Sequence, residues 1–364
     1  MISRRELMAG AGAAIAAGLP SAAAAAQDTG RGRAGWPYDG PMHVGTQAGS
    51  AEAMLRFYQR CGVKHICGDP EQWTEDGLRR LKDRCERHGI SLDMVPLGMP
   101  RSVGLTGDDD SRKRQIEQTC LQVVIAAKVG IPAIKYNLTV GDVLRSGWVA
   151  GRGGSRYNTW NLEDAVDTSL MRYGRFPADL YWERIERFLE AVIPVAATSK
   201  VRMACHPHDP GVPSEGFRGE QRVLGTVAGL KRFVETAVSP YHGLNLCVGT
   251  ISSNLDKPAE EVLDVIRYFG GLGKVFNVHL RNIRGRRDRF TEVFIDEGDV
   301  DVLGVVRMLR EVGYAGMVMP DHTPQHDDDE GGLQALAFDF GYIRAAIQGA
   351  YAEAAGCQEG KGSL

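Results

Sequence analysis

From residue 42 onward, short apolar runs alternate with stretches in which apolar positions recur every three to four residues. The runs at 43–46, 65–68, 92–96, 133–138, 201–206, 244–249, 275–280 and 316–320 read as strands. The stretches at 51–60, 74–87, 112–128, 180–197, 221–236, 258–269, 302–312 and 333–351 read as amphipathic helices. Gly62, Gly89, Gly130, Gly273 and Gly313 stand where these helices have to stop. Strand and helix in regular alternation imply a parallel sheet, and eight such units close it into a barrel. The expected fold class is therefore α/β, a single-domain (β/α)8 TIM barrel over residues 38–352. An open doubly wound sheet is the structural rival, but no G-x-G-x-x-G follows an early strand, so its dinucleotide-binding form lacks support.

Two segments depart from the alternation. Residues 139–178 have sparse periodicity and carry Gly-Arg-Gly-Gly-Ser-Arg-Tyr-Asn-Thr-Trp at 151–160. A connection of that length from the fourth barrel strand reads as a lid over the site, with Tyr157 as a substrate contact. At the start, Arg4 and Arg5 precede a weak apolar stretch from Met8 to Leu19, Pro20 and a run of small residues. Charged head, short apolar middle and Ala-rich tail are the parts of a removed export signal, and the arginine pair resembles a twin-arginine signal. Residues 1–27 are read as that signal and lead-in, with the twin-arginine translocation machinery as a partner and a periplasmic or extracellular destination. Residues 353–364 are read as a flexible tail.

Composition narrows the function classes. The chain has 364 residues, a formal charge of −3, 43% apolar and 24% charged residues. These values exclude extensive disorder and offer no field for nucleic acid or anionic lipid. No purely apolar run of eighteen residues follows the first thirty positions, so a polytopic membrane protein or stable anchor is not expected. Seven cysteines without regular spacing make a poor disulfide framework, although Cys61 and Cys67 could bridge after export. Most of them read as core fillers.

The ends of the late strands carry the chemistry. The fifth ends in Cys-His-Pro-His-Asp-Pro and delivers His206; the sixth delivers Cys247; the seventh ends in Val-His-Leu-Arg-Asn and delivers His279; the eighth delivers Asp321. Adjacent strand ends lie roughly 4.8 Å apart, so two imidazoles, a thiolate and a carboxylate can close around one divalent ion and leave positions for substrate. Thiolate and imidazole suit zinc or iron, and the carboxylate with open positions admits manganese.

The segments His-Pro-x-Asp-Pro at 206–210, Leu-Cys-x-Gly at 246–249, His-Leu-Arg-Asn at 279–282, Glu-Gly-Asp-Val-Asp at 297–301 and Pro-Asp-His at 320–322 resemble the mannonate dehydratase family of xylose-isomerase-like barrels. The resemblance implies that His206, Cys247, His279 and Asp321 hold Mn2+, with Fe2+, Co2+ or Zn2+ as alternatives. It implies elimination of water from D-mannonate or a related aldonate or oxidised sugar. That reaction removes a proton beside a carboxylate, stabilises an enediolate-type intermediate and expels the neighbouring hydroxyl. Where the family has an acidic residue that moves the proton, this chain has His208, with Asp209 kept; both are assigned as acid–base candidates. Arg281 is the candidate clamp on the substrate carboxylate, Asn282 a partner for substrate hydroxyls, and His322 a local catalytic residue. A tyrosine that the family places before the last helix has no counterpart at 331–336. A metal-dependent sugar isomerase or epimerase, and a catalytically silent exported sugar-binding protein, are the alternatives. A homo-oligomer is compatible with either.

Overall fold

The computed structural model describes residues 40–359, so the segment 1–27, expected to be an export signal, lies outside the described residues. Twelve strands are formed among them: β1 Met42–Thr46, β2 His65–Cys67, β3 Ser91–Pro96, β4 Ala133–Tyr136, β5 Gly147–Ala150, β6 Arg156–Asn161, β7 Arg202–Cys205, β8 His242–Cys247, β9 Val275–His279, β10 Asn282–Arg286, β11 Arg289–Val293 and β12 Gly316–Met319. Eight close into a parallel barrel in the order β1-β12-β9-β8-β7-β4-β3-β2. These are the eight apolar runs read from the sequence. Barrel strands are covered on both faces, which is why they read as continuous hydrophobic segments.

Helices wrap the outside: α1 Glu52–Cys61, α2 Glu75–Arg87, α3 Asp109–Val129, α4 Ala178–Ser199, α5 Val227–Thr236, α6 Val248–Ser252, α7 Pro258–Gly271, α8 Val302–Glu311 and α9 Leu333–Glu359. Their starts follow local chemistry. Thr74, Asp108, Thr226 and Asp301 each accept a backbone N–H three residues on, satisfying donors the first turn leaves open. α4 buries Tyr181, Ile185, Phe188, Val192 and Ala196, a stripe at helical spacing, against the barrel. The last helix continues through positions expected to be tail, as far as Glu359, and Glu353 within it pairs with Arg307 at 2.6 Å. Among the described residues no helix is long and apolar enough to cross a membrane.

The excursion after β4 is ordered rather than structureless. β5 and β6 form a hairpin, β10 and β11 form another, and the four make one antiparallel sheet in the order β10-β11-β6-β5. The second hairpin leaves the barrel directly after β9, so this small sheet joins the segment after the fourth barrel strand to the segment after the seventh. Six of the seven cysteines are described, all free, including Cys61 and Cys67.

Candidate functional site

Strand register assembles the site. In the parallel ladders Cys247 pairs with His279, and His279 with Met319, two residues before Asp321. Ligand atoms of His206, Cys247, His279 and Asp321 all lie within 4.8 Å of one another. Cys247 Sγ is 3.4 Å from Asp321 Oδ2, and His279 Nδ1 is 3.2 Å from Asp321 Oδ1. The late-strand quartet is thus brought together at the carboxyl end of the barrel.

The protonation chemistry of these groups suits a cation. His206 Nδ1 donates to the Pro207 carbonyl at 2.6 Å, which fixes the tautomer and leaves the Nε2 lone pair free. Burial, helped by the neighbouring His279, lowers the His206 pKa to about 3, and burial lowers that of His279 as well, so both rings are neutral. The Nε2 of His279 stands 3.1 Å from Asn245 Nδ2, while its Nδ1 is buried with no hydrogen-bond partner. A buried, unpaired ring nitrogen aimed at a carboxylate is costly unless something positive sits between them. Burial and the Asp321 charge push the Cys247 thiol up to about 12, a cost that a bound cation removes. Burial opposes ionisation of Asp321, but His322, His279 and Arg281 outweigh it and hold the carboxyl well below its usual range. Two neutral imidazoles, a thiol and an ionised carboxylate make a donor set that fits a divalent transition metal.

A cavity of about 170 Å³ adjoins the quartet. Its wall includes Gln47, Arg101, Lys135, Asp209 and His322 beside His206, His279 and Asp321. Gln47 donates from Nε2 to Asp321 Oδ1 at 3.3 Å, and its Oε1 accepts from the Lys135 ammonium. Asp209 accepts from Arg145 Nη2 at 3.2 Å and from Arg281 Nη2 at 3.3 Å. Burial opposes its ionisation, but Arg281 and Arg145 prevail and keep it a carboxylate. His322 Nδ1 is 2.9 Å from Glu292 Oε1, and Glu292 also contacts both Arg145 and Arg281. Asp209, Glu292 and His322 each bring an atom within 4.8 Å of the others, forming an acid–base cluster next to the metal ligands.

Four of the expected contacts need correction. His208 is fully buried and away from the cavity wall: its Nε2 donates to the Leu138 carbonyl at 2.7 Å and its Nδ1 accepts the Leu224 N–H at 3.3 Å. Both nitrogens are bonded to backbone and burial lowers its pKa to about 4, so the ring faces the backbone and not the cavity. Arg281 also lies beneath the wall, with a side chain 0% exposed. Its Nη atoms meet Asp209, Glu292, Thr250 and His322, and its Nε lies 3.4 Å from Asp321 Oδ2, so it ties buried groups beneath the wall instead of reaching into the cavity. A Cβ at Gly249 would stand 2.5 Å from Arg281 Nε, so glycine is required where that side chain passes. Asn282 spends its amide on the Ile295 and Val300 carbonyls and the Ile283 and Val300 N–H groups, pinning the segment between β11 and α8 to the start of β10. Tyr157 is buried, and its hydroxyl bonds to Glu297 and the Arg152 N–H, away from the cavity.

Several functional candidates escaped the sequence reading. Gln47 and Lys135 had a signal: each continues the inward alternation of its strand, and a lysine in the run 133–138 is out of place in an apolar strand. Glu292 and Arg145 had none, since their meeting depends on the small sheet.

The D-mannonate dehydratase (UxuA) family matches residues 157–345, more than half of the chain. Mannonate dehydratase 2 of Halalkalibacterium halodurans is 29% identical over 278 residues, covering 69% of this chain and 79% of its own. The mannonate dehydratase of Thermotoga neapolitana is 26% identical over 297 residues, covering 69% and 78%. Among solved structures, mannonate dehydratase from Streptococcus suis serotype 2 superposes with a TM-score of 0.74 at 22% identity, covering 86% of this chain and 96% of its own. An L-ribulose 3-epimerase shares the barrel at a TM-score of 0.56 and 16% identity, over 86% and 97%. The chain belongs to the D-mannonate dehydratase family.

Proposed function

We propose that the protein is a metal-dependent hydro-lyase that removes water from D-mannonate or a closely related aldonate. The observation that carries this reading is the convergence of His206, Cys247, His279 and Asp321 to within 4.8 Å beside a polar cavity. Family membership supports the reaction class. Mn2+ is the ion we assign, with Fe2+, Co2+ and Zn2+ as alternatives that the mixed N, S and O donors accept. A divalent cation held by the quartet supplies Lewis acidity to substrate oxygens and lowers the cost of charge developing beside the carboxylate.

The chain's own residues do the rest. His322 is the group suited to carry the proton. Its Nδ1 is anchored at Glu292, its side chain is 40% exposed, and it lines the cavity. Burial lowers its pKa, so the ring is neutral and its Nε2 can accept a proton and return it to a departing hydroxyl. Lys135 and Arg101, both on the cavity wall, supply positive charge for the substrate carboxylate. Asp209, kept ionised, accepts a hydrogen bond from a substrate hydroxyl and holds the chain of the sugar acid in line.

The test is a chelator-stripped enzyme incubated with a panel of aldonates, with and without Mn2+, scored for a 2-keto-3-deoxy product by the periodate–thiobarbiturate colour. Product from D-mannonate only with metal, and its loss in Cys247→Ser and His279→Gln, is the expected result. Absence of product from every aldonate with metal restored sinks the reading. A second reading, an isomerase or epimerase, draws on the commitment of Tyr157 to Glu297, which leaves the cavity wall without that acid. Solvent deuterium appearing in recovered sugar with no dehydrated product would favour it.

Twin-arginine export belongs to the same proposal and is supported by Arg4-Arg5 and the apolar, small-residue stretch behind them. Replacing both arginines with lysine should leave the full chain in the cytosolic fraction, while the unaltered chain reaches the periplasm.

A further inference from the structure

The amino-terminal mouth of the barrel, opposite the site above, carries a second convergent set of ligand-type side chains. His43 is on β1, His65 opens β2 and Asp93 lies on β3. Parallel pairing sets Gly45 opposite His65 and His65 opposite Ser91. The β2–β3 ladder then slips by one residue, with Cys67 opposite Met94, so that Asp93 is the extra residue of a bulge. Bulges re-aim side chains, and this one turns the carboxylate toward the two histidines.

His65 Nδ1 is 2.8 Å from Asp93 Oδ2, and His43 Nε2 is 3.5 Å from the same oxygen. The imidazoles stack with centroids 3.6 Å apart and planes 29° from parallel. A ring nitrogen from each histidine and an Asp93 oxygen all lie within 4.8 Å of one another. The Ser91 hydroxyl donates to Asp93 Oδ1, orienting the carboxylate so that Oδ2 faces the rings. The three side chains are between 27% and 30% exposed, so an ion can reach them. A hydrogen-bonded strand histidine is an adequate account of His65. It does not account for His43, whose Nε2 is buried without a hydrogen-bond partner beside the same carboxylate. Tetrahedral zinc, with bonds of about 2.0–2.1 Å to nitrogen and oxygen, spaces its ligand atoms roughly 3.4 Å apart; the His43–Asp93 separation of 3.5 Å matches that spacing, and the 2.8 Å His65–Asp93 pair would open slightly around an ion.

This cluster is separate from the dehydratase site. A Cβ on Gly45 would meet Met317 Cβ at 2.7 Å, so that face of β1 points into the barrel, and alternation puts His43 and Gln47 on it as well. Four residues of strand separate those two by about 13 Å, and Gln47 is the one that touches Asp321. Between the two ends the interior is filled by Cys67, Met94, Ala133, Ala204, Met317 and Met319. Chemistry in such barrels sits at the carboxyl end, and the amino end serves stability.

We propose that His43, His65 and Asp93 form a second divalent-cation site, suited to zinc, that clips the first three barrel strands together and takes no part in the dehydration. The experiment uses the untagged full chain, stripped by chelator, dialysed against Zn2+ alone and counted by plasma mass spectrometry. Co2+ alone, read by its visible absorption, reports the ligand geometry. Two equivalents are expected in the unaltered chain. One is expected in His43→Gln/His65→Gln, which keeps the parent turnover with Mn2+ but loses the part of the zinc-induced rise in melting temperature that the second ion contributes. One is also expected in Cys247→Ser/His279→Gln. Asp93→Asn, nearly isosteric, guards against misfolding: it should weaken the second equivalent by at least about tenfold with an unchanged circular dichroism spectrum. A single equivalent that survives in His43→Gln/His65→Gln overturns the proposal, as does a second equivalent that survives there. A single equivalent that vanishes in that variant but survives in Cys247→Ser/His279→Gln upholds the new site and instead removes the metal from the proposed dehydratase centre.

Discussion

His208 and His322 are both histidines next to residues that form the site, and their surroundings give them opposite work. His208 has both nitrogens bonded to backbone and no exposure. His322 has one nitrogen on Glu292 and a face on the cavity. Replacing His208 with Gln should therefore cost stability, about 1–3 kcal/mol for buried groups left without partners, by urea unfolding. The pH profile of turnover should stay where it is; a displaced profile would return His208 to the proton path. Glu292→Gln should do the reverse. It removes the carboxylate that orients His322 and should lower turnover by about 10²-fold or more, the usual worth of a positioned acid–base group, with KM little changed. Steady-state kinetics on D-mannonate with Mn2+ present check it, and turnover near the parent value would show that His322 works without this support.

At the level of elements, strands and helices of the barrel follow from local pattern, and so does the metal quartet, because adjacent parallel strands in register must end side by side. The arginine-rich hairpin of β10 and β11 breaks that logic. Arg284, Arg286, Arg287 and Arg289 crowd a segment that lacks an apolar run of its own. β10 and β11 pair with each other, and β11 pairs with β6, whose Trp160 packs with Ile283 and Phe290. That pairing carries Glu292 to Arg145, a residue far away in sequence, and no periodicity announces it. Tyr157 and Asn282 bond to Glu297 and to backbone instead of facing the cavity for a related reason: a polar side chain near a site is often spent on holding the backbone that shapes it. One further element shows a cost of this kind. On α9, Asp339 is 4% exposed with Oδ1 unpaired, and burial, reinforced by the nearby Asp296, raises its pKa to about 8. Its folded pKa lies above the unfolded value near 3.9, so the folded state holds the proton more tightly. Its contribution is fully present below about pH 4 and is lost as pH rises through 8. Asp339→Asn should therefore melt higher than the parent at pH 8 and converge with it toward pH 4. Parallel melting curves across that range would show that Asp339 is ionised and solvated.

At the scale of the whole molecule, the carboxyl end of the barrel gathers Asp209, Glu292 and Asp321 with Arg145 and Arg281 in a water-poor setting. Buried ion networks of this kind contribute little net stability, because desolvation offsets attraction. Their effect is positional: each guanidinium is held by carboxylates from separate elements, so the wall behind the metal ligands has one arrangement. The cation itself is different, since it binds the folded chain and finds no assembled quartet in the unfolded one. At a hundredfold excess over its dissociation constant it stabilises the fold by about 2.7 kcal/mol, which for a body of this size is a rise in melting temperature of roughly 5 °C. Calorimetry of the stripped chain titrated with Mn2+ should show that rise, and Cys247→Ser should blunt it while His43→Gln should not, because zinc and not manganese suits the other mouth. A melting temperature indifferent to Mn2+ would mean that the four strand ends meet without ligating an ion, and the hydro-lyase assignment would lose its physical basis.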